Sequence, residues 1–206
     1  MAYGDFTLPR VLTDFGLTLR TDLDLFGHIP PVPTDPSLTG LLNRQHGLAL
    51  AINTEKARSE LLIAPILGEV WRIGRGQVAF FSGVAFPVDP EAGLTGVCDY
   101  ILGRPPQIHF VSGPVMVVTE AKNEDMAGGL GQCAAAMVAA QRFNARQASD
   151  ITTIYGCVTS GADWKFLRLR DALLEIDVRD YDGREAGHIL GIILHFVGLA
   201  PLPAAA

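Results

Sequence analysis

The stretch "VMVVTEAKNED", Val115 to Asp125, decides how the rest of the chain is read. Its first half is a run of apolar, mostly β-branched residues of the kind that fills a buried strand. Its second half puts Glu120 and Lys122 where the next residues of one face fall, because side chains alternate along a strand and leave Thr119 and Ala121 on the other face. A core strand that ends in two opposite charges on one face is either a salt bridge at a sheet rim or part of a site. The first reading is plain: an exposed pair of this kind contributes about 0–1 kcal/mol.

The segments on either side supply a sheet and its helices. Upstream, "WRIGRGQVAFFSGVAFPVD" and "GLTGVCDYILG" are β-rich and separated by Gly, Pro and Asp, with "GRPPQ" as the loop before "IHFVSGPVMVVTEAK". They are expected to pair as consecutive antiparallel strands. Downstream, "GGLGQCAAAMVAAQRFNARQA" is an Ala-rich helix whose small residues permit close packing on a sheet. "ITTIYGCVTSG", "WKFLRLR" and "LLEIDVRDY" then return to strand, so the helix is a β-α-β crossover and the sheet is mixed. "EAGHILGIILHFVGL" closes the pattern as an apolar helix. Before the strands, "LTGLLNRQHGLALA" and "NTEKARSELLIAPIL" read as helices, the second with Asn53 or Thr54 as N-cap and Pro65 as its end or kink. Residues 1 to 40 hold four prolines in "IPPVPTDPSLTG" and are expected to form an N-terminal arm or small subdomain on a main domain of residues 41 to 206. The fold class expected is α/β, a mixed β-sheet flanked by helices.

With 206 residues, one well-buried domain is the expectation, and 49% hydrophobic against 18% charged residues makes it a compact chain rather than a disordered one. The formal charge of −6 argues against a broad basic face for non-specific nucleic-acid binding, although local basic patches such as Arg58, Arg72, Arg75, Arg142 and Arg146 could touch phosphates. Cys98, Cys133 and Cys157 lie far apart without metal-ligand spacing, which fits a reducing cytoplasm and small buried thiols. "MAYGDFTLPR" lacks a basic start followed by an apolar run, so no secretory signal is expected, and Ile189 to Leu199 is too short for a bilayer that needs ~20 apolar residues. No membrane association is expected.

Asp99 interrupts "TGVCDYIL", another apolar strand, and acids are rarely buried unless paired or bound to a metal. Antiparallel pairing of the two strands brings Asp99 across from Glu120. Adjacent carboxylates repel unless a cation lies between them, and carboxylate oxygens without His or Cys suit Mg²⁺ or Mn²⁺. Lys122 on the same face could orient a water toward a phosphoryl group.

"CDYIL" followed by "VVTEAKNED" resembles the D…(D/E)xK signature of the PD-(D/E)XK nuclease superfamily, the restriction-endonuclease-like fold. The residue before Asp99 is Cys98 rather than Pro. "GLGQCAAAM" resembles the Gln-bearing helix of the exonuclease and type I restriction branches, with Ala136 at the position often held by Tyr, and "YGCVTSGADWKFLRL" resembles the strand-turn-strand that follows it in type I restriction nuclease domains. The resemblance covers roughly residues 53 to 170. It implies that Asp99 and Glu120 bind metal, that Lys122 positions the attacking water, and that Gln132 supports the site. A helix acid completes the metal shell: Glu55 in "TEKAR", or Glu60, which is favoured for its place on the more apolar face. The activity implied is hydrolysis of a nucleic acid, DNA ahead of RNA, with Mg²⁺ or Mn²⁺ as cofactor.

Other residues carry less. His188 and His195 are seven apart on an apolar helix, His28 and His109 border loops, and none has metal-ligand spacing to a partner. "GRG" and "GGLG" are turns or helix starts, and no GxSxG elbow is present. Trp164 near a hairpin tip could stack on a base, but packing is the simpler role. A nuclease-fold module that binds or assembles without catalysis is the alternative function, and the Pro-rich arm and apolar last helix are candidate surfaces for a homodimer or a protein partner.

Overall fold

The computed structural model describes residues 1–104, 110–123 and 125–199. His109, the latter part of the "GRPPQ" loop and the terminal "PLPAAA" lie outside them. The architecture is α/β: an eight-stranded mixed sheet in the order β1-β7-β6-β5-β4-β3-β2, with β8 paired to β6 beside this path. The strands are β1 (Thr18–Arg20), β2 (Ala79–Ala85), β3 (Val97–Gly103), β4 (Val115–Ala121), β5 (Thr153–Thr159), β6 (Asp163–Arg170), β7 (Leu173–Ile176) and β8 (Tyr181–Asp182). β2, β3 and β4 pair antiparallel in sequence order, and β4 and β5 pair parallel, as the crossover pattern predicts.

The crossover helix α5 (Met126–Arg146) covers one face. Its Ala134, Ala135, Ala136, Ala139 and Ala140 are fully buried, and a Cβ at Gly156 of β5 would lie 2.4 Å from the Met137 sulfur. Small residues on both sides let helix and strand approach this closely. Asp125 starts the helix by accepting the Gly128 N–H at 2.7 Å. The opposite face is covered by α4 (Ala64–Gly74) and α6 (Ala186–Phe196), whose buried Ile66, Leu67, Ile189 and Ile193 join Trp164 and Phe166 of β6 in a second core. Among the described residues no helix is long and apolar enough to cross a membrane.

Residues 1–40, expected as an arm or small subdomain, contribute to the same sheet and to both cores. α1 (Leu8–Phe15) packs on α5, and β1 extends the sheet in parallel beside β7, a pairing too short and too exposed to be visible in "TLR". Phe26 is then buried in the second core, its ring 4.8 Å from Phe196 and 6.2 Å from Phe166. One correction concerns Pro65, expected to end or kink the second helix. After α2 (Pro36–Ile52), α3 (Glu55–Arg58) passes through a π turn (Ser59–Ile63) into α4, so the helix does not stop at Pro65, and its regular winding is interrupted just before it. The Ala64 N–H bonds back to the Ser59 carbonyl, one residue farther than in an α-helix, and the widened turn admits the proline ring.

Burial of Phe26 yields a measurable consequence. Phe26→Ala should lower the unfolding free energy by ~3–5 kcal/mol in urea titration, the usual cost of emptying a buried aromatic site; a loss below about 1 kcal/mol would return residues 1–40 to the status of a loosely docked arm.

Candidate functional site

β4 is buried along its whole length, from Val115 to Ala121. Its antiparallel register with β3 pairs Tyr100 with Thr119, which sets Asp99 opposite Glu120 one residue farther along. There the backbone ladder gives way to a side chain: the Ala121 N–H donates to Asp99 Oδ2 at 2.8 Å. On the other side, the Lys122 N–H donates to the Thr159 carbonyl at 2.8 Å and prolongs the β4–β5 pairing. The end of β4 is thus held from both neighbours, with Glu120 and Lys122 turned toward α5.

Glu120 is completely buried. Its Oε2 accepts from Gln132 Nε2 at 2.6 Å, whereas its Oε1 has no hydrogen-bond partner. Burial, and after it the neighbouring Asp99 carboxylate, push the Glu120 carboxyl well above the usual range, against the opposing pull of Lys122. Lys122 Nζ donates to Gln132 Oε1 at 3.1 Å and lies 3.9 Å from Glu55 Oε2. The Gln132 amide therefore bridges the two side chains, and its orientation is forced: the Lys122 ammonium only donates and so takes the amide oxygen, which leaves the NH₂ for Glu120. Gly129, one turn earlier on α5, leaves the space for Lys122, because a Cβ there would come within 3.1 Å of Lys122 Cγ and 2.6 Å of Val158 Cγ1.

The structure brings together Asp99, Glu120, Lys122, Gln132 and Glu55, and leaves Glu60 outside. Glu60 is 59% exposed and paired with Lys56 at 2.9 Å. This corrects the preference for Glu60: with Lys56 it forms an i,i+4 pair on the solvated side of the helix. Glu55 sits in the first turn of α3, behind its Thr54 N-cap, and its Oε2 comes within 3.9 Å of Lys122 Nζ just past the end of β4. Arg58 fixes the approach, donating to Asn53 Oδ1 at 3.0 and 3.2 Å and to the Ser160 carbonyl at 3.1 Å. Buried in this role, it is not a phosphate contact. Arg72, Arg142 and Arg146 are likewise engaged, with Glu69, with Asp89 and with the Val88 carbonyl, and Arg75 is exposed at the end of α4. Trp164 and the three cysteines are core residues.

The N-terminal segment also reaches the site, which no sequence signal announced. Gly131, the residue before Gln132, lies where a Cβ would meet the Phe6 carbonyl oxygen at 2.3 Å. Tyr3 beside it is buried and donates to the Phe86 carbonyl at 2.6 Å, and its phenol is pushed up by burial, with lesser contributions from Cys98 and Glu120.

Among the described residues no group of three or more His, Cys, Asp or Glu side chains is gathered to hold a metal ion. The donor set is therefore the Asp99 and Glu120 pair, with Glu55 beyond Lys122. Two carboxylates suit a hard cation that keeps water or substrate oxygens for its other positions, and the unpartnered, buried Glu120 Oε1 is the atom such an ion would satisfy. No protein-family model matches the chain, and no curated protein matches it.

The cost of this cluster can be measured with divalent ions chelated. Because the folded-state pKa of Glu120 is raised, the native state holds a proton more tightly than the unfolded chain. Stability should fall as pH rises through the unfolded carboxylate range near 4.5 and stay low above the folded value. Glu120→Gln, whose amide can donate toward Asp99 while its oxygen still accepts from Gln132, should remove that fall and raise the melting temperature at neutral pH. A variant less stable than the parent at neutral pH would contradict the assignment.

Proposed function

We propose that the chain is a metal-dependent nuclease of the restriction-endonuclease-like type, acting on nucleic acid, DNA ahead of RNA. The observation that carries the reading is the buried Asp99–Glu120 pair with one oxygen unpartnered and Lys122 held beside it by Gln132. Fixed positive and negative groups aimed at one point, in a place where water is scarce, are what phosphodiester hydrolysis requires.

Asp99 and Glu120 would hold Mg²⁺ or Mn²⁺. When bound, the ion supplies Lewis-acid stabilisation of charge developing on the phosphoryl oxygens. Lys122 Nζ has hydrogens beyond the one given to Gln132, and it would hold the attacking water by its oxygen. Gln132 keeps the distance between carboxylate and ammonium fixed, so neither side chain must be ordered when substrate arrives. Glu55, 3.9 Å from Lys122, would be a second restraint on the ammonium. The scissile phosphate would enter from the open end of the sheet, where Lys122 is 17% exposed and Glu55 is half exposed.

A nuclease-fold module without catalysis is the second reading, favoured by the −6 charge. The two are separated by activity. With Mg²⁺ or Mn²⁺, purified protein should cleave DNA or RNA, and Lys122→Ala should reduce the rate by about 10²-fold or more while its circular dichroism stays native. Equal cleavage by the variant removes Lys122 from the mechanism. No cleavage by the parent, together with a melting temperature unmoved by millimolar Mn²⁺, leaves the binding module.

A further inference from the structure

A cavity of about 590 Å³ lies between α2, the π turn and the start of α6. It is distinct from the carboxylate pair but opens at the same end of the sheet. Gly161, in the β5–β6 turn, lines it, and that turn begins two residues earlier at Thr159, which pairs with Ala121 and takes the Lys122 N–H. Along the sheet, β4 to β6 is two strand spacings, about 10 Å, but Glu120 and Lys122 face α5 whereas the cavity lies on the α4/α6 side, so a strand joining them rounds the end of the sheet. At ~3.4 Å per stacked nucleotide the lateral distance alone takes about three residues, and the whole path takes more.

The lining has two characters. Leu42, Leu62 and Ile66 form an apolar wall, and Asn43, His46 and His188 supply hydrogen-bonding groups along it. His188 Nε2 is buried without a partner, and the ring packs edge-on against Tyr181 with centroids 5.2 Å apart, so the imidazole is fixed. The cavity also receives the start of α6, where Glu185 makes no side-chain cap. Uncapped N–H groups of a helix's first turn favour an anion. Arg184 lines the same edge and is matched by Asp182, and the Glu185 carboxylate, also in the lining and 66% exposed, has its Oε2 4.0 Å from His188 Nδ1, so a phosphate here would have to displace it toward solvent.

We propose that this cavity takes one unpaired nucleotide of the nucleic acid whose scissile phosphate lies at Asp99 and Glu120, with the base on the apolar wall and a phosphate toward the start of α6. The inference rests on the nuclease reading for the strand's path. Its size matches single small molecules, and a base still paired in a duplex does not fit a pocket of this volume. The protein would accordingly prefer single strands, frayed ends or loops over continuous duplex.

Binding measured in chelator, where no cleavage occurs, tests the cavity apart from the chemistry. A short fluorescent single-stranded oligonucleotide and its duplex are titrated with the full chain, with Asn43→Trp, which fills the cavity from an exposed helix position, and with His46→Ala. Asn43→Trp should weaken single-strand binding about tenfold and leave duplex binding as it was, and His46→Ala should act in the same direction. The loss of binding without any cleavage by the parent keeps the cavity and removes the nuclease reading. Single-strand binding that is absent in the parent, or untouched by both variants, overturns the proposal. So does deoxyadenosine monophosphate binding that Asn43→Trp blocks while oligonucleotide binding does not change, since the cavity then serves a free nucleotide.

Discussion

The complete burial of β4 constrains everything around it. A strand covered on both faces must give all of its N–H and C=O groups to its two neighbours, and β3 and β5 take them along Val117 to Thr119. At Ala121 the β3 backbone is no longer the partner and the Asp99 carboxylate receives the N–H instead. The acid therefore has a structural duty and a fixed position before any substrate is considered. Glu120, one residue earlier, is carried into the interior by the same strand, and a shift of one residue would exchange the two buried faces of β4 and move Glu120 from the α5 side into the apolar core under α4 and α6.

That placement is unfavourable for Glu120 by itself. A buried carboxylate beside another carboxylate is opposed by desolvation and by repulsion, and the raised pKa states the same conflict in terms of protons. Compensation comes from α5, whose approach is set by small residues: Gly156 and the buried alanines bring the helix close, Gly129 admits the Lys122 stem, and Gln132 then reaches both charges. Replacing any of these small residues by a larger one moves the helix and with it the amide bridge. Packing far from the charged atoms thus determines their separation. One oxygen of Glu120 is left without a partner even so, and local conflicts of this kind are characteristic of functional sites rather than of cores selected for stability.

Much of this was legible in the chain. The alternation through Thr119, Glu120, Ala121 and Lys122 set the faces correctly, the order of strands and of the Ala-rich helix gave the mixed sheet, and Asp99 could be put opposite Glu120 from pairing alone. The choice between Glu55 and Glu60 was not, because it depends on how a helix is rotated against a sheet it does not pair with. Apolar periodicity favoured Glu60, but the π turn at Ser59–Ile63 changes the rotation within that segment, and the Lys56–Glu60 spacing was a visible sign of a solvated pair. β1 was missed since three exposed residues have no alternation to detect. The contact of Phe6 with Gly131 was equally hidden, as nothing in either segment encodes a meeting between residues so far apart in sequence.

The charge count at the end of β4 also bears on the chemistry. Asp99, Glu55 and, once ionised, Glu120 face a single ammonium on Lys122, and the chain as a whole carries −6. A phosphodiester approaching such a cluster is repelled, and at 4 Å in a partly shielded site each unit charge matters at the level of about 4 kcal/mol. Lys122 cannot offset this, being already shared between Gln132 and Glu55. A protein using these residues on a polyanion must therefore bring in positive charge from outside the chain, and two carboxylates with a free oxygen lobe are suited to a hard divalent cation. The excess of acid over base, which argues against a broad nucleic-acid-binding face, would at this one place favour such a cation.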